Sequence, residues 1–252
     1  MKRLNLSIIF TFLVSLIFFS PAYSYCPKSF KLSKDKTFGV IICSSKKISD
    51  EYHKHAEKIM RSLLDYDKNG QPDNKKVLRS LVKNYATFMV LSSESDLDFY
   101  EDQQENFTSF TVVFADEMVL NKSNRFDATI EEALHLVTAE GYSKAYPKFF
   151  GEFKGSKISF FLDKARGGHF WKVPMQYPED AYFTYFDHTC DYRCQITEFL
   201  YWTITTLRGQ QSSFDRGREI EEEWRPETKK KLLNRAPDLV EFISKKEFRI
   251  FY

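Results

Sequence analysis

Apolar positions recur at helical spacing in some stretches and gather into short β-type runs in others, and this contrast sorts the chain into helices and short strands. Residues 25–48 read as extended, with a β-type run at Phe38-Gly39-Val40-Ile41-Ile42-Cys43. From about Asp50 the apolar step lengthens. Tyr52, Ala56, Ile59, Met60, Leu63 and Leu64 recur at three- and four-residue intervals and predict a helix. A turn-rich loop follows over 65–74, and Val77, Leu78, Leu81 and Val82 mark a second, shorter helix. Two strands are expected at 86–91 and 109–114, separated by the polar, acidic stretch 92–104. A third helix is expected over 128–140, ended by Gly141 acting as a left-handed cap. A fourth at 158–165 stops at Gly167-Gly168, and a fifth at 194–207 stops at Gly209. Residues 170–190 are aromatic and proline-punctuated and read as ordered loop, and two charged helices are expected near 215–224 and 228–235. No repeat or linker interrupts the pattern. The fold class is α+β, mostly helical, a single domain with a small sheet.

The first segment changes the picture by setting a compartment. Lys2 and Arg3 precede an almost wholly apolar run from Leu6 to Phe19, then Pro21 and the small residues of Ala22-Tyr23-Ser24. That is the layout of a signal peptide over 1–24, leaving a secreted domain at 25–252. The apolar run is short for a membrane span, and no later run is longer. The whole chain carries 37 basic and 35 acidic residues, and removing Lys2 and Arg3 balances them. That balance gives no electrostatic case for nucleic acid or an anionic membrane. The four cysteines, Cys26, Cys43, Cys190 and Cys194, suit two disulfides in an oxidising compartment. Local pairing favours Cys26–Cys43 and Cys190–Cys194. A zinc site built on the second pair is the rival, but no partner motif has zinc-finger spacing. Asn106-Phe107-Thr108 and Asn121-Lys122-Ser123 are glycosylation sequons.

One loop has the composition of a cation site. Asp65-Tyr66-Asp67-Lys68-Asn69-Gly70-Gln71-Pro72-Asp73 matches the front of an EF-hand-like loop over 65–76. Asp65, Asp67 and Asn69 alternate, so their oxygens can converge. Gly70 permits the sharp turn, Gln71 offers a backbone carbonyl, and Asp73 ligates directly or through water. Lys76 stands where a bidentate glutamate would close the loop. The match is therefore to the shorter aspartate-rich calcium loops of extracellular modules. A solvated turn is the plainer reading, since these are turn residues in any protein.

A second constellation has the residue types of a transition-metal site. Thr129-Ile130-Glu131-Glu132-Ala133-Leu134-His135 lacks only the first histidine of H-E-x-x-H. On a helix, Glu131 and His135 share a face and Glu132 lies one step round it. Zinc accepts carboxylate oxygen as well as imidazole nitrogen and keeps three protein ligands at a catalytic site. Glu131 and His135 are then candidate ligands, with Glu132 the base that takes a proton from bound water. Glu198, a carboxylate in an otherwise apolar helix, is the candidate third ligand, and Asp187, His188 and Asp191 are weaker ones. The plainer readings are a Thr129–Glu132 capping box, a core histidine, and a Glu198 paired with Arg166 or Arg193. A di-iron carboxylate bundle would need a second E-x-x-H helix, which the chain lacks.

The stretches T-I-E-E-A-L-H-L-V-T, G-Y-S-K-A-Y-P, A-R-G-G-H-F and T-C-D-Y-R-C-Q-I-T-E-F-L-Y-W resemble a group of exported microbial and marine-invertebrate proteins without an established activity. The resemblance spans about residues 50–212 and implies one shared domain. A more distant similarity is to zincin metallopeptidases of the thermolysin-like branch, whose third ligand is a glutamate on a later helix. It implies His135 and Glu198 as ligands and Glu132 as base, with Glu131 departing from the family's first histidine.

Other residues attract less weight. Tyr142 could donate to an oxyanion but more commonly packs a core. His169 is a loop histidine, and His53 and His55 read as solvated. The aromatics between Trp171 and Phe186 suit core packing better than a sugar- or peptide-binding surface. The expected protein is a secreted, calcium-stabilised, metal-dependent hydrolase with zinc or another divalent transition metal, acting on a peptide or protein. The alternative is a non-catalytic, calcium-binding interaction or matrix protein.

Overall fold

The computed structural model describes residues 26, 27, 29–96, 109–121, 125–213 and 215–251. The signal-peptide segment 1–24, the sequon at Asn106 and the last two residues of the sequon at Asn121 lie outside the described residues.

Four strands form one mixed sheet: β1 (Lys31–Ser33), β2 (Ile41–Ser44), β3 (Thr87–Leu91) and β4 (Phe110–Phe114), in that spatial order. β1 runs antiparallel to β2, while β2, β3 and β4 are parallel, with Cys43, Met89 and Val112 in register. Parallel neighbours require a crossover. α1 (Asp50–Leu64) and α2 (Lys75–Lys83) provide it between β2 and β3. All five residues of β3 are buried, because helices cover one face and a smaller cluster covers the other. Ile42, Phe88, Val90 and Val113 point into the main core, whereas Cys43, Met89 and Leu91 meet Cys26, Phe30, Phe110, Val112 and Phe114 behind the sheet.

Helix α1 buries Ala56, Met60 and Leu64 on its sheet-facing side. His53, expected to be solvated, lies on the same side. It is held between Ser44 Oγ at 2.7 Å and Ser33 Oγ at 2.9 Å, contacts no local pattern reveals. His55 is likewise not solvated: its Nε2 meets Asp127 Oδ2 at 2.6 Å.

α3 (Ala128–Leu136) packs beside α1 and against β3 and β4. It does not stop at a left-handed Gly141. It widens into a π-helical stretch, Val137–Ser143, and Gly141 keeps an ordinary negative-φ backbone. The glycine is there for close approach: a Cβ on it would lie 2.7 Å from Val77 Cγ1 and 3.3 Å from Leu81 Cγ of α2.

The rest is helical. α4 (Pro147–Phe150) and α5 (Lys157–Ala165) lead to α6 (Tyr192–Leu207), which is buried around most of its circumference. Gly209, at φ +75°, ends it as expected. α7 (Arg216–Ile220) is shorter than the pattern suggests because the chain leaves the helix to form an antiparallel bridge between Trp224 and Phe183. α8 (Lys229–Arg235) is followed by α9 (Pro237–Ile243), unforeseen in the sequence, whose Phe242 joins Phe150, Phe161 and Phe248 in an aromatic cluster. Both expected cysteine pairs, Cys26–Cys43 and Cys190–Cys194, are disulfides. No described helix is long and apolar enough to cross a membrane.

Candidate functional site

The candidate metal centre is built by two helix starts. Asp127 caps α3: its Oδ1 accepts from Thr129 N at 3.1 Å and from Val119 N at 3.2 Å, while its other oxygen holds His55. The alternative reading, a Thr129–Glu132 capping box, does not form among the described residues, since Asp127 has taken the capping role and Thr129 Oγ1 is buried without a hydrogen-bond partner. Asp191 caps α6 by accepting from Cys194 N at 2.9 Å. These two anchored helices bring Glu131 and His135 of α3 against Glu198 of α6.

The ligand atoms of Glu131, His135 and Glu198 all lie within 4.8 Å of one another. His135 and Glu198 are each 8% exposed. His135 Nε2 sits 3.5 Å from Glu198 Oε2, and Nδ1 sits 3.7 Å from Glu132 Oε2. Nε2 is buried and makes no hydrogen bond. The partners proposed for Glu198 are engaged elsewhere. Arg166 pairs with Asp163 and Gln195, and Arg193 pairs with Glu152. No lysine or arginine forms a salt bridge with Glu131, Glu132 or Glu198 among the described residues. Asp187 binds Thr189 and Asp191 serves as the helix cap, so neither belongs to the cluster.

The electrostatics follow from that imbalance. Burial pushes the Glu131 carboxyl up to about 7, opposed by His135 and reinforced by Glu198 and Glu132. Burial acts against a charged His135, but Glu198 and Glu132 outweigh it and raise the imidazole well above its ordinary range.

Three further groups border the site. Tyr201, one turn beyond Glu198, packs edge-to-face with the His135 ring, their centres 5.7 Å apart. Its hydroxyl accepts from Gln211 Nε2 at 3.3 Å, and Gln211 Oε1 accepts from Arg216 Nε at 2.8 Å. Tyr185 and Glu223 arrive through the Phe183–Trp224 bridge, where Thr184 N donates to Glu223 O at 2.9 Å. Burial, then Glu198, raises both the Tyr185 hydroxyl and the Glu223 carboxyl. Sequence reasoning missed Tyr185 and Glu223 because a long-range pairing places them. The only local hint for Tyr201 was its spacing of three from Glu198.

The aspartate loop joins α1 to α2. Asp65, Asp67 and Asp73 bring carboxylate oxygens within 4.8 Å of one another. The turn is built from its own side chains: Asp65 accepts from Gly70 N, and Asn69 Oδ1 accepts from Gln71 N at 2.8 Å. Gly70, at φ +85°, makes the sharp bend. Asp73 Oδ2 accepts from Tyr66 N at 2.6 Å, while Oδ1 is buried with no partner. Burial, then Asp67 and Asp65, raises the Asp73 carboxyl. Lys76 turns away, its Nζ 4.1 Å from the Tyr146 ring centre.

Elsewhere, Tyr142 is a core residue whose hydroxyl donates to Phe248 O at 3.0 Å. His169 is not idle: its Nδ1 meets Asp163 Oδ2 at 3.0 Å, between the rings of Trp171 and Tyr192. No family model, curated protein or solved structure matches the chain, so both resemblances rest on the quoted motifs alone.

Proposed function

We propose that the protein is an exported, metal-dependent hydrolase whose Glu131, His135 and Glu198 hold one divalent transition ion. One observation carries this reading. The 3.5 Å between His135 Nε2 and Glu198 Oε2 leaves the nitrogen without a hydrogen bond. Two ligands on one tetrahedral zinc, each at about 2.1 Å, stand about 3.4 Å apart. Three acids face one imidazole and, among the described residues, none of the three forms a salt bridge with a lysine or arginine, so a divalent ion would balance what the side chains leave unbalanced. One imidazole and two carboxylates suit zinc and also the oxygen-preferring ions manganese and iron.

A bound ion of this kind supplies Lewis acidity and a water that ionises near neutral pH. The chain's residues do the remainder. Glu132, with 32% of its side chain exposed, is the residue that would take a proton from such a water. Between turnovers it also steadies the His135 ring through Nδ1. Tyr201 flanks the imidazole and is itself fixed by Gln211. A peptide or protein substrate is the reading that the zincin resemblance supports.

Calcium in the aspartate loop fits both this reading and its rival. Three converging carboxylates and the unpartnered Asp73 Oδ1 support it. The rival, a non-catalytic exported protein, gains support from the low exposure of His135 and Glu198. Glu132→Gln separates the two. Under the hydrolase reading, cleavage of a fluorogenic peptide library falls at least about 100-fold, while near-ultraviolet dichroism and bound metal are retained. Wild-type protein that carries the metal and cleaves nothing in the library, or a variant of unchanged activity, rejects Glu132 catalysis.

A further inference from the structure

A chain with balanced charge can still segregate it, and the segment from α4 to Trp171 does. The outward side of α5 carries Lys157, Phe160 and Lys164, at steps of three and four residues. A solvent-facing helix normally keeps aromatics off that side. Phe160 is 54% exposed, Phe153 in the preceding turn is 50% exposed, and Trp171 is 62% exposed. Lysines alternate with these rings. Lys154 Nζ lies 5.7 Å from the Trp171 ring centre and Lys157 Nζ lies 5.0 Å from that of Phe160.

The acids in the same stretch are turned inward. Glu152 is held by Arg193 and Thr197, and Asp163 by Arg166, His169 and Tyr192. Lys164 reaches Asp238 at 3.3 Å at the edge of the patch. Lys154, Lys157 and Lys172 form no ion pair among the described residues. The surface therefore shows protruding aromatics interspersed along the chain with lysines that form no ion pair among the described residues.

We infer that Phe153, Phe160 and Trp171, with Lys154, Lys157 and Lys172, form a docking face for an anionic phospholipid surface. Aromatic side chains settle at the headgroup level, where an apolar ring and a polar environment meet. Lysines beside them gain from the negative surface potential. Protruding rings suit a deformable lipid interface better than a folded partner, which would need matching pockets. The inference is independent of any metal at the Glu131–His135–Glu198 cluster.

Trp171 is the natural reporter, because the other two tryptophans, Trp202 and Trp224, are buried. The test uses the full chain, expressed with its own N-terminal segment and purified as the host delivers it. It is titrated with phosphatidylcholine vesicles with and without phosphatidylglycerol. The wild type should show a blue-shifted Trp171 emission and quenching by brominated lipid with the anionic vesicles, weakened by salt. Lys154→Ala with Lys157→Ala should weaken partitioning on the order of thirtyfold at unchanged near-ultraviolet dichroism. Phe160→Ser should reduce quenching depth while keeping salt sensitivity. All variants share the wild-type N-terminus, so a difference between them reads the patch and not the leader. Absence of a Trp171 response to anionic vesicles overturns the inference. So does partitioning that the lysine pair leaves unchanged, or a lysine-dependent retention on polyglutamate with none on vesicles.

Discussion

Glu198→Gln distinguishes a metal ligand from half of a structural ion pair. In the metal-free protein, Glu198 attracts His135 across 3.5 Å but also adds to the upward pressure on Glu131 and Glu223. Removing its charge loses one attraction and relieves two repulsions. An ordinary buried pair broken on one side costs about 3–5 kcal/mol. With the repulsions relieved, the expected loss without metal is about 1 kcal/mol, or roughly 2–4 °C in Tm for a chain of this size. Metal is where the variant should differ. An ion present at about 100 times its Kd stabilises the native state by about 2.7 kcal/mol, which raises Tm by roughly 5–11 °C. The assay is thermal unfolding followed by near-ultraviolet dichroism, after chelation and then with zinc or manganese, calcium being held constant throughout. The wild type should gain the full shift and the variant almost none. An equal shift in both would remove Glu198 from the site. A large loss in metal-free variant, with no metal response in the wild type, would make His135–Glu198 an ion pair and nothing more.

The pH dependence should invert with metal. Glu131 is raised in the folded state from 4.5 to about 7, so its contribution is full below 4.5 and is lost as pH rises through 7. His135, raised above 6.5, acts in the same direction: its contribution is full below 6.5 and is lost at higher pH still. Chelated protein should therefore show a lower denaturant midpoint at pH 8 than at pH about 5, and metal-loaded protein the reverse, because ligation expels those protons. In the aspartate loop, Asp73→Asn should be neutral or slightly stabilising in a chelator, since it removes a carboxyl crowded by Asp67 and Asp65. The same change should abolish the Tm rise that calcium gives the wild type; a rise retained in the variant would exclude Asp73 as a ligand. Replacing Cys26 and Cys43 with serine opens a link across 17 residues. That should cost about 3 kcal/mol, against about 2 kcal/mol for the Cys190–Cys194 pair, measured as denaturant midpoints.

Elements with strong local periodicity were legible. α1 and α2 lie where the three-four pattern places them, because each buries one continuous face, and β3 and β4 lie where their short apolar runs place them, because the sheet is packed on both faces. The disulfides were legible because each pair is close in sequence. Gly141 misled because glycine serves both left-handed caps and close packing, and only the position of Val77 on α2 decides which. His53 misled for a related reason. Its partners, Ser33 and Ser44, sit on β1 and β2, so a helical wheel cannot show that it is held. Within the candidate site, Glu131, His135 and Glu198 could be named from residue type and helix face. Tyr185 and Glu223 could not, since a single bridge between Phe183 and Trp224 delivers them. The excess of lysines that lack an ion-pair partner between Phe153 and Lys172 was invisible to whole-chain charge, because the acids of that segment turn inward.

The most direct measurement is anomalous diffraction at a transition-metal edge from crystals grown with zinc or manganese. The account predicts one strong peak within about 2.0–2.2 Å of His135 Nε2 and of a carboxylate oxygen from each of Glu131 and Glu198. A site without a peak, in which His135 Nε2 instead closes to a hydrogen bond with Glu198, would contradict it.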